Sequence, residues 1–114
     1  MDQTLFALPV LTGKTDAARA FLHELEHERM GQYAESEARL RLFKEVWAIQ
    51  QSPQGDLYVV YFSGDDILDA FRKFAASQDA FDLWFKQQVL ETTGADLNTP
   101  PPGLLSEILS DYAA

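Results

Sequence analysis

The chain has 114 residues, 46% of them hydrophobic and 24% charged, with 8 Phe, 4 Tyr and 2 Trp; this fits one folded domain over residues 1–114 and excludes a disordered chain. Its 18 acidic and 9 basic side chains leave a formal charge of -9, an acidic protein whose surface has the wrong sign to track phosphates, so nucleic acid is not an expected partner. Cysteine is absent, which removes disulfides, thiolate nucleophiles and cysteine-held metals. No apolar run reaches membrane-spanning length, and Asp2 stands where a signal peptide would carry positive charge, so the expected location is cytoplasmic, with no membrane partner.

Thr4 to Leu11 reads as a first strand with both faces apolar, and Pro9, which lacks an amide donor, points to an edge position or a bulge. Thr12, Gly13 and Lys14 form a turn, and Thr15 or Asp16 can cap a helix that begins near Asp16 and extends towards or past Met30. Ala18, Phe21, Leu22 and Leu25 recur at helical spacing and make one apolar stripe. His23 and His27 lie one turn apart, nearly opposite that stripe. Two histidines without a third convergent ligand read as surface residues, so no metal is expected. Arg29 continues the apolar stripe. If the helix persists through Gly31, then Tyr33 and Ser36 follow on roughly the same face, a series suited to an anionic or phenolic ligand at the end of a cavity. In the alternative, Gly31 ends or kinks the helix, Arg29 snorkels to water and Tyr33 simply packs its ring.

Leu42 to Ser63 reads as a β-hairpin, two arms rich in Val, Ile, Phe, Tyr and Trp joined by a linker carrying Pro53, Gly55 and Asp56. By strand parity Phe43, Trp47 and Ile49 oppose Leu42, Val46 and Ala48, while Leu57, Val59 and Tyr61 oppose Tyr58, Val60 and Phe62. A solvated antiparallel sheet shows one polar side; this hairpin shows none, so both of its faces need cover. Glu45 shares the side of Phe43, Trp47 and Ile49. A carboxylate desolvated on that face would have a raised pKa, which makes Glu45 the candidate general base, with Arg29 as the candidate stabiliser of a developing anion. Tyr33 and Trp47 are the candidate ligand-binding residues. The alternatives are an ion pair between Glu45 and a base such as Arg29, exposure near a sheet edge, and a purely packing role for Trp47.

After Ser63, Asp65 and Asp66 supply a cap for a helix whose apolar stripe is Ile67, Phe71, Phe74 and Ala75. Asp79 can cap a second helical segment with Asp82 at the third position, followed by Phe81, Phe85 and Val89, with Trp84 displaced by one, and an end by Gly94. These aromatics read as packing or partner contact, with a cofactor pocket as the sharper alternative; no cofactor is expected. Pro100, Pro101 and Pro102 form a stiff connector. Leu104 to Tyr112 fits either a helix or a strand, and the preceding order of elements favours a strand.

The resulting order, βαββαβ, is that of a ferredoxin-like α+β fold with an antiparallel sheet. With its doubly apolar strands over Thr4 to Leu11 and Leu42 to Ser63, the chain resembles the dimeric α+β barrel superfamily, which includes cofactorless antibiotic-biosynthesis monooxygenases, stress-responsive barrel proteins and families without assigned activity. The resemblance implies helices on one sheet face and a second subunit on the other, closing a dimeric α+β barrel. It carries no complete catalytic set. Three functions follow: a homodimer that binds a small molecule or serves a structural role; a cofactor-independent oxygenase or isomerase acting on a small aromatic or enolisable compound; and a regulatory protein-interaction module.

Overall fold

A computed structural model describes residues 1–99 and 105–114. The described elements are β1 (Asp2–Pro9), α1 (Thr15–Glu26), α2 (Met30–Leu40), β2 (Leu42–Ser52), β3 (Gly55–Gly64), α3 (Ile67–Ala76) and α4 (Ala80–Thr93). The strands form one antiparallel sheet in the order β1-β3-β2, so the hairpin supplies two of three strands and β1 lies at an edge, where Pro9 is tolerated. Ser52 and Gly55 close the hairpin around Pro53 and Gln54.

One sheet face carries the helices. Thr4, Phe6 and Leu8 of β1, Tyr58, Val60 and Phe62 of β3, and Glu45, Trp47 and Ile49 of β2 stand in register across it. Tyr58, Val60 and Phe62 pack there with Phe21 and Leu25 of α1, Ile67 and Ala70 of α3, and Phe81, Phe85 and Val89 of α4 in one buried core. The helical spacings account for this: each helix sends in residues three or four apart. The rings of Phe21 and Phe85 meet edge to face at 5.1 Å, and Phe21 also meets Trp84 at 5.4 Å, so the aromatics of α4 belong to the core of this chain.

The opposite sheet face is open. Leu5 and Val46 keep 45% and 42% of their surface exposed, and Ala7, Ala48, Leu57, Val59 and Tyr61 share that side. The strands therefore lack a polar face, as their composition requires, and no element among the described residues packs over the apolar one.

Three local expectations need correction. The helix from Asp16 does not run past Met30. It ends at Glu26, where the amides of His27 and Arg29 both donate to the Glu24 carbonyl, and the Arg29 side chain closes the corner by pairing with the Glu24 carboxylate at 2.7 Å. Gly31 lies inside α2, past the corner. The parity of Leu42 and Phe43 is reversed, because a bulge between Leu42 and Lys44 turns Leu42 inward and leaves Phe43 54% exposed. Finally, residues 105–114 form neither strand nor helix, so the fourth strand of a βαββαβ order is missing among the described residues. This segment instead meets the free edge of β1 through side chains. Ser106 Oγ accepts the Leu5 amide at 3.0 Å, and the Ser106 amide donates to Thr4 Oγ1 at 3.1 Å. Pro100 to Leu104 lie outside the described residues.

Neither Thr15 nor Asp16 caps α1, whose N-cap is Lys14 without a side-chain bond because the Thr15 hydroxyl is spent on Asp56. Asp82 accepts from Ser36, Ser77 and Arg39 rather than from the Asp79 amide, which donates to Ser77. The other caps follow the sequence reading. Asp66 accepts the Asp69 amide at the start of α3; Asp79 accepts the amides of Phe81 and Asp82 at the start of α4; Gly94 ends α4 with φ of 80°.

Candidate functional site

The corner at Arg29 sets the face that α2 shows to the sheet. Tyr33, Ser36, Glu37 and Leu40 recur at spacings of three, one and three, a single helical stripe, and all four line one cavity. Glu45 and Trp47 enter it from β2. Phe62, Phe71, Phe74, Phe81 and Phe85 provide aromatic walls, and the cavity measures about 60 Å³. Leu40, Phe71, Phe74 and Leu97, which are only partly buried, bring it towards the surface.

The polar chemistry is concentrated on one carboxyl pair. Trp47 Nε1–H donates to Glu45 Oε2 at 2.7 Å, and the Tyr33 hydroxyl and the Glu37 carboxyl are the other hydrogen-bonding neighbours of Glu45. No Lys, Arg or His is among the described lining residues, so these donors alone balance a charge on Glu45. Burial, the adjacent Glu45 carboxylate, the hydrogen bond between them and the charge of Asp82 push the Glu37 carboxyl up to about 10. Burial also raises Glu45, against the hydrogen bonds from Glu37, Trp47 and Tyr33 that favour its charged form. Tyr33 is raised by burial and by the charges of Glu45 and Glu37, so its hydroxyl remains protonated. Glu37 thus keeps its proton well above the ordinary carboxylate range, and its hydrogen bond favours the charged form of Glu45 against the burial that raises it. Such an arrangement can donate a proton, accept one, or hold a polar ligand group in an otherwise apolar enclosure.

Of the residues singled out in the sequence, the fold brings Glu45, Trp47 and Tyr33 together. Arg29 stands apart. It does not line the cavity; its guanidinium pairs with Glu24 and lies 4.0 Å from the centre of the Trp84 ring. Ser36 reaches the cavity wall but gives its hydroxyl to Asp82 Oδ1 at 2.7 Å. Asp82 also accepts from Ser77 at 2.6 Å and Arg39 at 3.1 Å; burial alone would raise it, and these bonds hold it below the usual Asp value. That cluster ties α2 and α3 to α4. His23 and His27 stack at 4.0 Å on the exposed side of α1, and no group of three or more His, Asp or Glu among the described residues is arranged to hold a metal.

Glu37 is the member that sequence reading missed. The series Arg29, Tyr33, Ser36 followed the right stripe but stopped one residue early: the next inward positions after Tyr33 are Ser36, Glu37 and Leu40, and an acid on the stripe between Tyr33 and Leu40 is the available signal.

A shallower depression of about 350 Å³ lies beside the hairpin turn, where the Asp56 carboxylate is engaged by the Thr15 hydroxyl at 2.6 Å. No family model, curated protein or solved structure matches this chain.

Proposed function

We propose that this chain is a small-molecule-binding protein whose ligand occupies the aromatic cavity with a polar group against Glu37 and Glu45. The observation that carries the reading is a pair of carboxyls, Glu37 and Glu45, placed together at the wall of a cavity that is otherwise almost wholly apolar. Binding sites are typically apolar enclosures with a few convergent polar groups, and carboxyls with raised pKa values concentrate in them. The chain contains two tryptophans, and only Trp47 lines the cavity, where its indole N–H touches Glu45. In a nitrogen-15 NMR screen of small apolar compounds bearing one polar end, a ligand should shift the Trp47 indole resonance saturably. A screen in which no compound moves that resonance would overturn the reading.

One observation favours a catalytic extension. Glu37 holds a proton next to Glu45, an acceptor in a nonpolar setting, as an isomerase acting on an enolisable substrate requires. Glu45 would take the substrate's α-proton, and the Glu37 and Tyr33 hydroxyl groups would donate hydrogen bonds to the enolate oxygen. Arg29, held by Glu24 and the Trp84 ring and absent from the cavity lining, has no part in it. Exchange of α-protons of small ketones in heavy water, lost in Glu45→Gln, tests this extension.

The open sheet face supports a homodimer. Leu5, Val46, Val59 and Tyr61 present apolar surface there, and burial against a second copy would remove it from water, as the resemblance to the dimeric barrels implies. Sedimentation should show a concentration-dependent dimer that Val46→Asp abolishes; monomer alone at high concentration contradicts it.

A further inference from the structure

We infer that the ligand class of the aromatic cavity is a small organic ammonium ion, its cationic head on Glu45 and its carbon skeleton against the phenylalanine walls. This inference rests on the binding role proposed above and goes on to name what binds. Three features of the cavity lead to it.

The first is the sign of the polar wall. Glu45 accepts the Trp47 indole N–H at 2.7 Å, and Glu37 and Tyr33 line the same cavity, so the polar wall presents carboxyl oxygens to whatever enters. Three cations on the helices are used elsewhere: Arg29 by Glu24 and Trp84, Arg39 by Asp79 and Asp82, and Lys86 by the carbonyls of Phe74, Ala75 and Ser77. A cation entering the cavity is the complement that the described lining residues do not supply. An anion would instead meet two carboxyls and an aromatic enclosure without a positive group.

The second is the nature of the apolar walls. Eight of the lining residues are aromatic, and ring faces attract cations while they exclude water. A neutral ligand would use only the apolar part of this environment; an ammonium uses both parts. The third is size. A cavity of about 60 Å³, at about 10–15 Å³ per water-sized volume, admits roughly four to six non-hydrogen atoms. A short alkylammonium fits, whereas a nucleotide or a polycyclic compound does not. The charge of -9 favours the approach of a cation by its overall field.

The test compares n-butylammonium, 1-butanol and butyrate, which share a carbon skeleton length and differ in the polar end, through titration of the Trp47 indole resonance at neutral pH. The expected result is that n-butylammonium binds at least ~10-fold more tightly than 1-butanol, with butyrate weakest, because only the ammonium gains the carboxylate and the ring faces. In Glu45→Gln the ammonium should lose that advantage while 1-butanol still shifts the resonance, which also shows that the cavity has survived the substitution. If 1-butanol binds as tightly as n-butylammonium in the unmodified protein, the ammonium inference falls and the binding role stands. If neither binds, both fall. The comparison among ligands on the unmodified protein decides the matter even if the variant does not fold.

Discussion

Replacing Glu37 by Gln should change how stability depends on pH. The folded chain holds a proton on Glu37 up to about 10, whereas the unfolded chain releases it near the ordinary value of 4.5. The folded-state pKa is raised, so this contribution is fully present below the unfolded value and is lost as pH rises towards the folded one. For one extra proton in the native state, the free energy of unfolding falls by about 1.4 kcal/mol per pH unit. Gln has the shape of the protonated acid and keeps a donor for Glu45, but it cannot ionise. The stability of the unmodified protein minus that of Glu37→Gln should therefore decline by about 3 kcal/mol between about pH 6 and about pH 8. Most groups elsewhere, Asp82 and Lys86 among them, are common to both proteins and largely cancel in the difference. Urea unfolding followed by tryptophan fluorescence, at one fixed protein concentration so that any dimerisation contributes equally, measures it. A difference that is flat over this range, or that grows with pH, would refute a proton held on Glu37.

Other outcomes follow from the packing. Gly64 sits where β3 meets both neighbours, and a Cβ there would lie 2.7 Å from the Arg41 carbonyl oxygen; Gly64→Ala should lose about 1–3 kcal/mol in urea unfolding, since backbone must shift to admit it. Asp82 is fully buried and accepts from Ser36, Ser77 and Arg39; Asp82→Ala should cost about 2–4 kcal/mol by leaving those donors without their acceptor. Because the folded pKa of Asp82 is lowered, its contribution is present above the ordinary Asp value and lost as pH falls through the folded one, so Asp82→Asn should flatten the acid limb of the stability profile. Phe85, whose ring meets Phe21, Trp47 and Phe74, should cost about 3–5 kcal/mol on truncation to Ala, measured the same way.

Features set by a few adjacent residues were readable from the sequence. The hairpin shows itself in two β-branched and aromatic arms around Pro53 and Gly55, and the caps in Asp66 and Asp79, each directly before an apolar stripe. The side of Glu45 followed from its parity with Trp47, which lies beyond the bulge on the same regular stretch. Features that depend on contacts distant in sequence did not show. The corner between α1 and α2 is held by the Arg29 side chain on Glu24 and the ring of Trp84, so Gly31, the obvious breaker, carried no information about it. The bulge at Leu42 follows a residue in the left-handed region, Arg41 with φ of 55°, where a glycine would have been the visible sign. The C-terminal segment has the alternation of a strand, yet Ser106 spends its hydroxyl and its amide on β1 through Leu5 and Thr4, a side-chain attachment that parity cannot anticipate. Glu37 was hidden for a related reason: its partner Glu45 comes from β2, and an acid on a helix reads as solvated until the opposing strand is known.

The proton held on Glu37 beside Glu45 underlies the binding role, the catalytic extension and the choice of ligand. A carbon-13 NMR titration of the two side-chain carboxyl carbons, assigned through Glu37→Gln and Glu45→Gln, observes that proton directly. The pair should hold one proton at neutral pH and lose it in a step far above the ordinary Glu value. Two independent titrations near about 4.3, the value of an exposed Glu, would contradict the account.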